Sequence, residues 1–160
     1  FCVGDRVKRM QVGIRKRMKF FWTVFKKNDD MNRPDIFADL EESPFSPEDF
    51  RELMEDKNGF FLVALVDGKE AGMCNVKLKK APVHPVVVPR RYAYIDDICI
   101  LPDYRHMGVG KALYEALAAR IRPMGITKVE LKVWAFNESA RGFYEAMGMK
   151  PQNIIMEGRV

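Results

Sequence analysis

The run Ile-Cys-Ile-Leu-Pro-Asp-Tyr-Arg-His-Met-Gly-Val-Gly-Lys over residues 98–111 constrains this chain more than any other segment. An apolar strand passes through a proline-bearing turn directly into a helix whose first residues are small. The first N–H groups of a helix lack intrahelical acceptors, and the helix dipole adds partial positive charge there. Gly108 and Gly110 let an anion approach that backbone, and Arg105 and Lys111 can add charge-assisted contacts to a pyrophosphate. Tight packing at the turn is the structural alternative for the two glycines. A dinucleotide-binding unit would also open a helix with Gly-x-Gly and carry an acid about 20 residues on, as Glu130 is placed here. That reading fails because Leu113 stands where Gly or Ala is needed, the turn is long, and too little chain follows. A P-loop fails as well, since no G-x-x-x-x-G-K-[ST] sequence is present.

Residues 134–148 form a second strand-to-helix junction. Asn137 sits at its corner, where the side chain can cap the helix or hydrogen-bond a ligand amide. Tyr144 shares a helix face with Ala140, and small residues there leave room for a ligand. Taken alone, Phe143 and Tyr144 would read as core packing.

Periodicity supplies the remaining elements. Val7, Met10, Ile14, Met18, Phe21, Trp22 and Phe25 recur at three- and four-residue steps, the stripe of an amphipathic helix with a basic polar face; residues 7–12 alternatively read as a strand. Ser46-Pro47-Glu48-Asp49 starts a short helix toward Glu55 that Asn58-Gly59 ends. Residues 60–66 and 71–78 read as strands joined by a tight turn at Asp67-Gly68, and Pro82, Pro85 and Pro89 break the next stretch into a loop. Strands over 92–100 and 128–134, helices over 108–122 and 139–147, and a last strand over 153–157 complete the order. This predicts an α/β (α+β) fold: one domain over residues 1–160 with a mixed, mostly antiparallel central sheet flanked by helices on both faces. Because the chain opens at Phe1 rather than Met, a few upstream residues are expected to be missing.

Charge is unevenly placed. The chain carries 27 Lys and Arg against 22 Asp and Glu, a net +5, yet residues 1–27 hold a net +8 and residues 28–58 a net −8. The basic stripe could lie on a membrane or a nucleic-acid backbone, but pairing with the adjacent acidic segment is the commoner outcome, so no nucleic-acid partner is expected. Cys2, Cys74 and Cys99 are odd in number and widely spaced, which suits reduced thiols in a cytoplasmic protein rather than disulfides or metal ligands. With only His84 and His106, a three-histidine metal site cannot be built, and neither lies near a G-x-S-x-G turn. The apolar stretches fall far short of the ~18 residues a membrane span needs, and repeated basic residues interrupt the first segment, so no signal peptide is expected in it.

The two junctions together, Arg105-x-x-Gly108-x-Gly110 and Asn137-Glu138-x-Ala140-x-x-Phe143-Tyr144-Glu145-x-x-Gly148, resemble the GNAT superfamily of acetyl-CoA-dependent N-acetyltransferases. The likeness is detailed over residues 94–149 and holds in outline before that. It implies acetyl-CoA as co-substrate and no metal. By that resemblance Arg105, His106, Met107, Gly108, Val109 and Gly110, with Lys111 after them, form the coenzyme pyrophosphate loop, and the main chain of Ile98, Cys99 and Ile100 pairs with pantetheine. Asn137, Ala140 and Phe143 line the same ligand, and Tyr144 stands beside the thioester sulfur as the acid that protonates the departing thiolate. Homodimers are common in the family, although no residue of this chain demonstrates one.

Direct attack by an amine needs a base, because an ammonium of pKa near 10.4 is deprotonated in only about one molecule in 2,500 at pH 7, a deficit of roughly 4.6 kcal/mol. Asp96 and Asp97 are the candidates. They point to opposite faces of a strand, so one faces the site and the other serves an ion pair, with Asp96 preferred slightly. Tyr-Ile-Asp-Asp over residues 94–97 is similar to the diamine and polyamine branch, which with the acidic segment implies a small cationic amine acceptor. A protein Lys or N-terminus as acceptor, and a non-catalytic acetyl-CoA-binding sensor or interaction module, are the alternatives. Cys99 within an apolar strand is expected to be inert, so transfer should proceed in a ternary complex without an acyl-enzyme.

Overall fold

The computed structural model describes residues 56–160 continuously, together with residues 7, 8, 35, 46, 48, 49, 52 and 55. The amphipathic helix expected beyond residue 8, and most of the acidic segment, lie outside the described residues. Five strands make one sheet in sequence order: β1 (Val7–Lys8), β2 (Gly59–Val66), β3 (Lys69–Lys80), β4 (Arg91–Ile100) and β5 (Val129–Leu131). The first four pair antiparallel, and β5 joins β4 in parallel, which gives the mixed sheet that the element order predicts. At residues 7 and 8 the strand alternative is the one adopted.

Local chemistry explains the connections. Asp67 and Gly68 both take positive φ, 51° and 76°, the backbone of a two-residue hairpin turn whose twist matches its strands. Ser46 and Asp49 cap reciprocally: the Asp49 N–H donates to Ser46 Oγ at 3.1 Å and the Ser46 N–H donates to Asp49 Oδ2 at 2.6 Å. Those bonds hold the Asp49 carboxyl below its ordinary value, the backbone N–H acting most. Residues 48, 49, 52 and 55 are helical, as the capping sequence predicts.

The core lies under helix α1 (Val109–Ile121). Its buried residues Val109, Leu113, Leu117 and Ile121 fall at four-residue steps and pack on Phe60, Leu62, Ala64, Cys74, Val76, Ala93 and Ile95 of the sheet. Leu113 is fully buried, so Leu113→Ala should destabilise the fold by about 2–5 kcal/mol through lost contacts and a residual cavity. Urea unfolding checks this as a lower midpoint at unchanged slope.

Two expectations are corrected. β5 spans only Val129–Leu131 rather than residues 128–134, because its pairing with Ala93 to Ile95 stops where β4 changes register. The strand expected over residues 153–157 is not formed; residues 149–160 carry no regular structure and residues 150–160 are exposed. Ile-Ile-Met has the composition of a strand, but that preference is realised only against a partner edge. Helix α2 (Glu138–Ala146) matches its sequence signal and closes at Gly148, φ 82°.

Candidate active site

The register of β3 on β4 decides what the two aspartates do. Val76 pairs with Ile95 and Asn75 with Asp97, which leaves Asp96 as an extra residue, a β-bulge. Before the bulge Ala93 and Ile95 face the core with Val76; after it Ile98 lies opposite Cys74 and packs on the same core, as does Ile100. Under strict alternation Asp97 would follow Ile95 into that core. The bulge instead turns Asp97 and Cys99 to the opposite face, across from Asn75 and Met73.

The aspartates therefore part company. Asp96 is engaged by Lys77, Nζ to Oδ2 2.6 Å, and this bond is the leading cause that raises the Lys77 ammonium above its ordinary value, with Asp97 and Asp56 adding to it. Asp97 is half-buried and within Coulombic reach of the Tyr144 phenol and the Cys74 thiol. Asn75 opposite it is 95% buried, the one buried amide side chain among the described residues. Sequence reasoning passed over Asn75, although a lone carboxamide inside an apolar strand was a visible signal.

Tyr144 comes from α2 and is itself buried. Burial first, then the neighbouring Cys74, Cys99 and Asp97, pushes its phenol well above the ordinary tyrosine value, so it stays protonated at neutral pH. Burial likewise pushes the Cys74 thiol up to about 12, which removes it as a nucleophile. Cys99 is buried too.

The glycine loop is built as a helix-end cradle. A 3-10 turn (Pro102–Tyr104) leads into it, the Arg105 Nε–H donates to the Ile100 carbonyl at 3.3 Å, and His106 takes φ 60°. Gly108 stands at the head of α1 with φ 80°, no side chain caps the helix, and a Cβ at Gly108 would meet nothing within 4 Å. N–H groups at a helix head that no side chain caps fit a phosphate. Gly110 also serves packing: a Cβ there would lie 3.1 Å from the Phe143 ring, so the glycine lets the head of α1 meet α2. Val109 is buried, Ile98 and Ile100 pack on the core, and β5 pairs with β4 no further than Ile95. His106, Met107 and Lys111 are exposed, with Lys111 Nζ 3.9 Å from Glu115.

Asn137 caps α2, its side-chain oxygen accepting from the Ala140 N–H at 3.1 Å, which is the first of the two roles open to it. Trp134 and Phe136 stack at 5.8 Å on the turn before it. Phe143 and Tyr144 touch at 5.2 Å between ring centres, so α2 sets one aromatic ring against the cradle and holds the other near Asp97. Among the described residues no group of His, Cys, Asp and Glu could hold a metal ion, and no helix is long and apolar enough to cross a membrane.

An uncapped helix end, a protonated phenol and a nearby carboxylate are groups that transfer from a phosphate-bearing donor could use. The comparisons carry that class to a family. Residues 19–149 match the acetyltransferase (GNAT) family. Over 113 residues the chain is 28% identical to a putative ribosomal protein bS18-alanine N-acetyltransferase of Bacillus subtilis, covering 70% of this chain and 68% of that protein. It is 37% identical over 67 residues to the L-ornithine N5-acetyltransferase NATA1 of Arabidopsis thaliana, 42% of this chain and 29% of that one. The crystal structure of a mutant BH1408 protein from Bacillus halodurans has the same fold, with a TM-score of 0.89 at 24% identity over 96% of this chain and 98% of the other. The chain belongs to the GNAT family and is an N-acetyltransferase of that type, a family that uses acetyl-CoA.

Proposed function

We propose that this enzyme moves the acetyl group of acetyl-CoA onto a primary amine of a small cationic acceptor, by direct attack in a ternary complex, with Asp97 as base and Tyr144 as acid. The observation that carries this reading is the buried Tyr144 phenol, kept protonated within Coulombic reach of Asp97 and in contact with the Phe143 ring that packs on the head of α1. The N–H groups at the head of α1, with Arg105 and Lys111 nearby, would hold the pyrophosphate of the donor. The main chains of Ile98, Cys99 and Ile100 would take the pantetheine amides, and Asn137 and Ala140 would border the same arm.

In the transfer Asp97 takes a proton from the acceptor ammonium, and the freed nitrogen pair attacks the acetyl carbonyl carbon. The C–N bond forms as the C–S bond breaks, the Tyr144 proton passes to the thiolate that leaves, the second proton of the attacking nitrogen returns to the Tyr144 phenolate as the amide forms, and Asp97 gives its proton to water. Asp97, rather than the slightly preferred Asp96, fits the base role because it lies within Coulombic reach of the Tyr144 phenol, whereas Asp96 pairs with Lys77.

Two features support a cationic acceptor. Asp96 contacts Lys77, and Asp97 and Asp56 lie within Coulombic reach of it, so this end of the sheet favours a cation. A relative is named for acetylating ornithine, itself a cationic amine. The relative named for acetylating a ribosomal-protein alanine favours a second reading, a peptide α-amine as acceptor. Buried, unbridged thiols at Cys74 and Cys99 fit a cytoplasmic enzyme.

Coenzyme-dependent thiol release across spermidine, short diamines, ornithine, lysine, an aminoglycoside and an alanine-initiated peptide tests the acceptor. Turnover highest with a small di- or polyamine supports the first reading, and turnover confined to the peptide transfers the activity to the second. Gly110→Val tests the cradle: its added atoms press on Phe143 and should cost about 1–3 kcal/mol of stability. The variant should also bind coenzyme A more weakly by calorimetric titration, whereas unchanged binding would detach the head of α1 from the coenzyme.

A further inference from the structure

Asn75 is a polar side chain in a place that penalises one. It stands mid-strand in β3 between Cys74 and Val76, both fully buried, and is itself 95% buried. Among the described residues no hydrogen bond ends on its side chain, so nothing there offsets the water its carboxamide gives up. The same residue marks the irregularity of the sheet. The register of β3 on β4 changes between Asn75 and Val76, and Asn75 is left directly opposite Asp97.

We propose that Asn75 is a second contact for the acceptor amine: its side-chain oxygen accepts one N–H of the nitrogen whose other proton Asp97 removes. This rests on the reading of Asp97 as the base. Sheet geometry supports the pairing. Residues directly opposite on antiparallel strands carry Cβ atoms about 4.5–5.5 Å apart. Two hydrogen bonds of about 2.9 Å leaving one tetrahedral nitrogen end on oxygens about 4.7 Å apart, so a single ammonium spans the two side chains.

Topology argues against the other use of a carboxamide here, donation to the acetyl oxygen. The donor's arm in this account follows the main chain of Ile98 to Ile100, along the side of β4 where β5 has ended. Asn75 lies on the other side of β4, one strand spacing of about 4.8 Å further from the thioester. Its reach is to the incoming amine.

The proton count of the reaction then gives Asn75 a selective role. A primary ammonium has three N–H bonds. One proton goes to Asp97, one goes to the Tyr144 phenolate as the amide forms, and the third stays on the nitrogen, held by Asn75, and remains in the product amide. Holding it limits rotation about the C–N bond, so the free pair is presented to the acetyl carbon. A secondary ammonium has only two N–H bonds and loses both. It leaves the buried Asn75 oxygen against an alkyl group, and a site built to hydrogen-bond a substrate N–H discriminates against a substrate without it.

The test compares the unsubstituted enzyme with Asn75→Leu, close in volume and without polar atoms, on the best primary amine of the panel and on its N-methyl derivative. The unsubstituted enzyme should favour the primary amine by about 10- to 100-fold in kcat/KM. In Asn75→Leu the primary amine should lose about that factor and the N-methyl amine should change only a few-fold, so the preference closes. KM for acetyl-CoA and the melting temperature should hold. No preference in the unsubstituted enzyme, a preference that survives Asn75→Leu, or equal losses on both amines would each overturn the contact. Asp97→Asn, measured alongside, separates this inference from the reading beneath it. A loss in Asp97→Asn with unchanged rates in Asn75→Leu overturns the contact alone, whereas unchanged rates in both variants overturn the base assignment as well.

Discussion

Tyr144→Phe is expected to lower kcat by roughly 100-fold, the low end of what a positioned general acid supplies. Affinity for acetyl-CoA and thermal stability should stay close to those of the parent, because the ring that fills the buried position is retained. The pH profile carries the sign. Burial raises the phenol above its ordinary value of 10.0, so the proton-bearing form persists through neutral and mildly alkaline pH, and kcat should show no falling limb below about pH 10. The same shift makes the fold lose stability as pH rises past the unfolded value, since the unfolded phenol ionises first. Unchanged kcat in the variant would remove Tyr144 from the chemistry.

The aspartate pair gives the second large effect. Asp97→Asn should lower kcat/KM for the amine by about 100-fold or more, through loss of the base. Asp96→Asn should leave it within a few-fold and act on Lys77 instead. Asp96 raises the Lys77 ammonium, so the pair's contribution is present below the ordinary lysine value of 10.5 and lost as pH rises through the raised one. Both side chains are about a third exposed, 37% and 31%, so the pair is worth at most about 1 kcal/mol. Thermal melts at neutral pH and above pH 11, beside the kinetics of both variants, separate the two roles. Equal kinetic losses would mean that the bulge does not divide the aspartates.

Much of this was legible in the residues. The glycine run gave α1 and its cradle because helix heads with small residues and no cap have few other uses. Alternation and the Asp67-Gly68 turn gave the hairpin because only left-handed backbone fits that turn, and the capping sequence at Ser46 was realised as reciprocal hydrogen bonds. The division of labour between Asp96 and Asp97 was not legible, since it depends on one inserted residue that reverses the faces of β4. A trace of it was present: Ile95 and then Ile98 and Ile100 switch parity, which an uninterrupted core strand would not do. Gly110 was read as an approach for phosphate, and its contact with Phe143 depends on how two helices far apart in sequence cross. The tail read as a strand on composition alone, and composition does not supply the edge on which a strand pairs.

The account's central claim is direct transfer from thioester to amine. Intact-protein mass spectrometry of the enzyme with acetyl-CoA alone, then with the best amine of the panel added, tests it most directly. The account predicts no acetyl group on the protein in either mixture, and one free thiol for each N-acetyl amide once the amine is present. An acetyl group held on Cys99, or thiol release without an amide product, would contradict it.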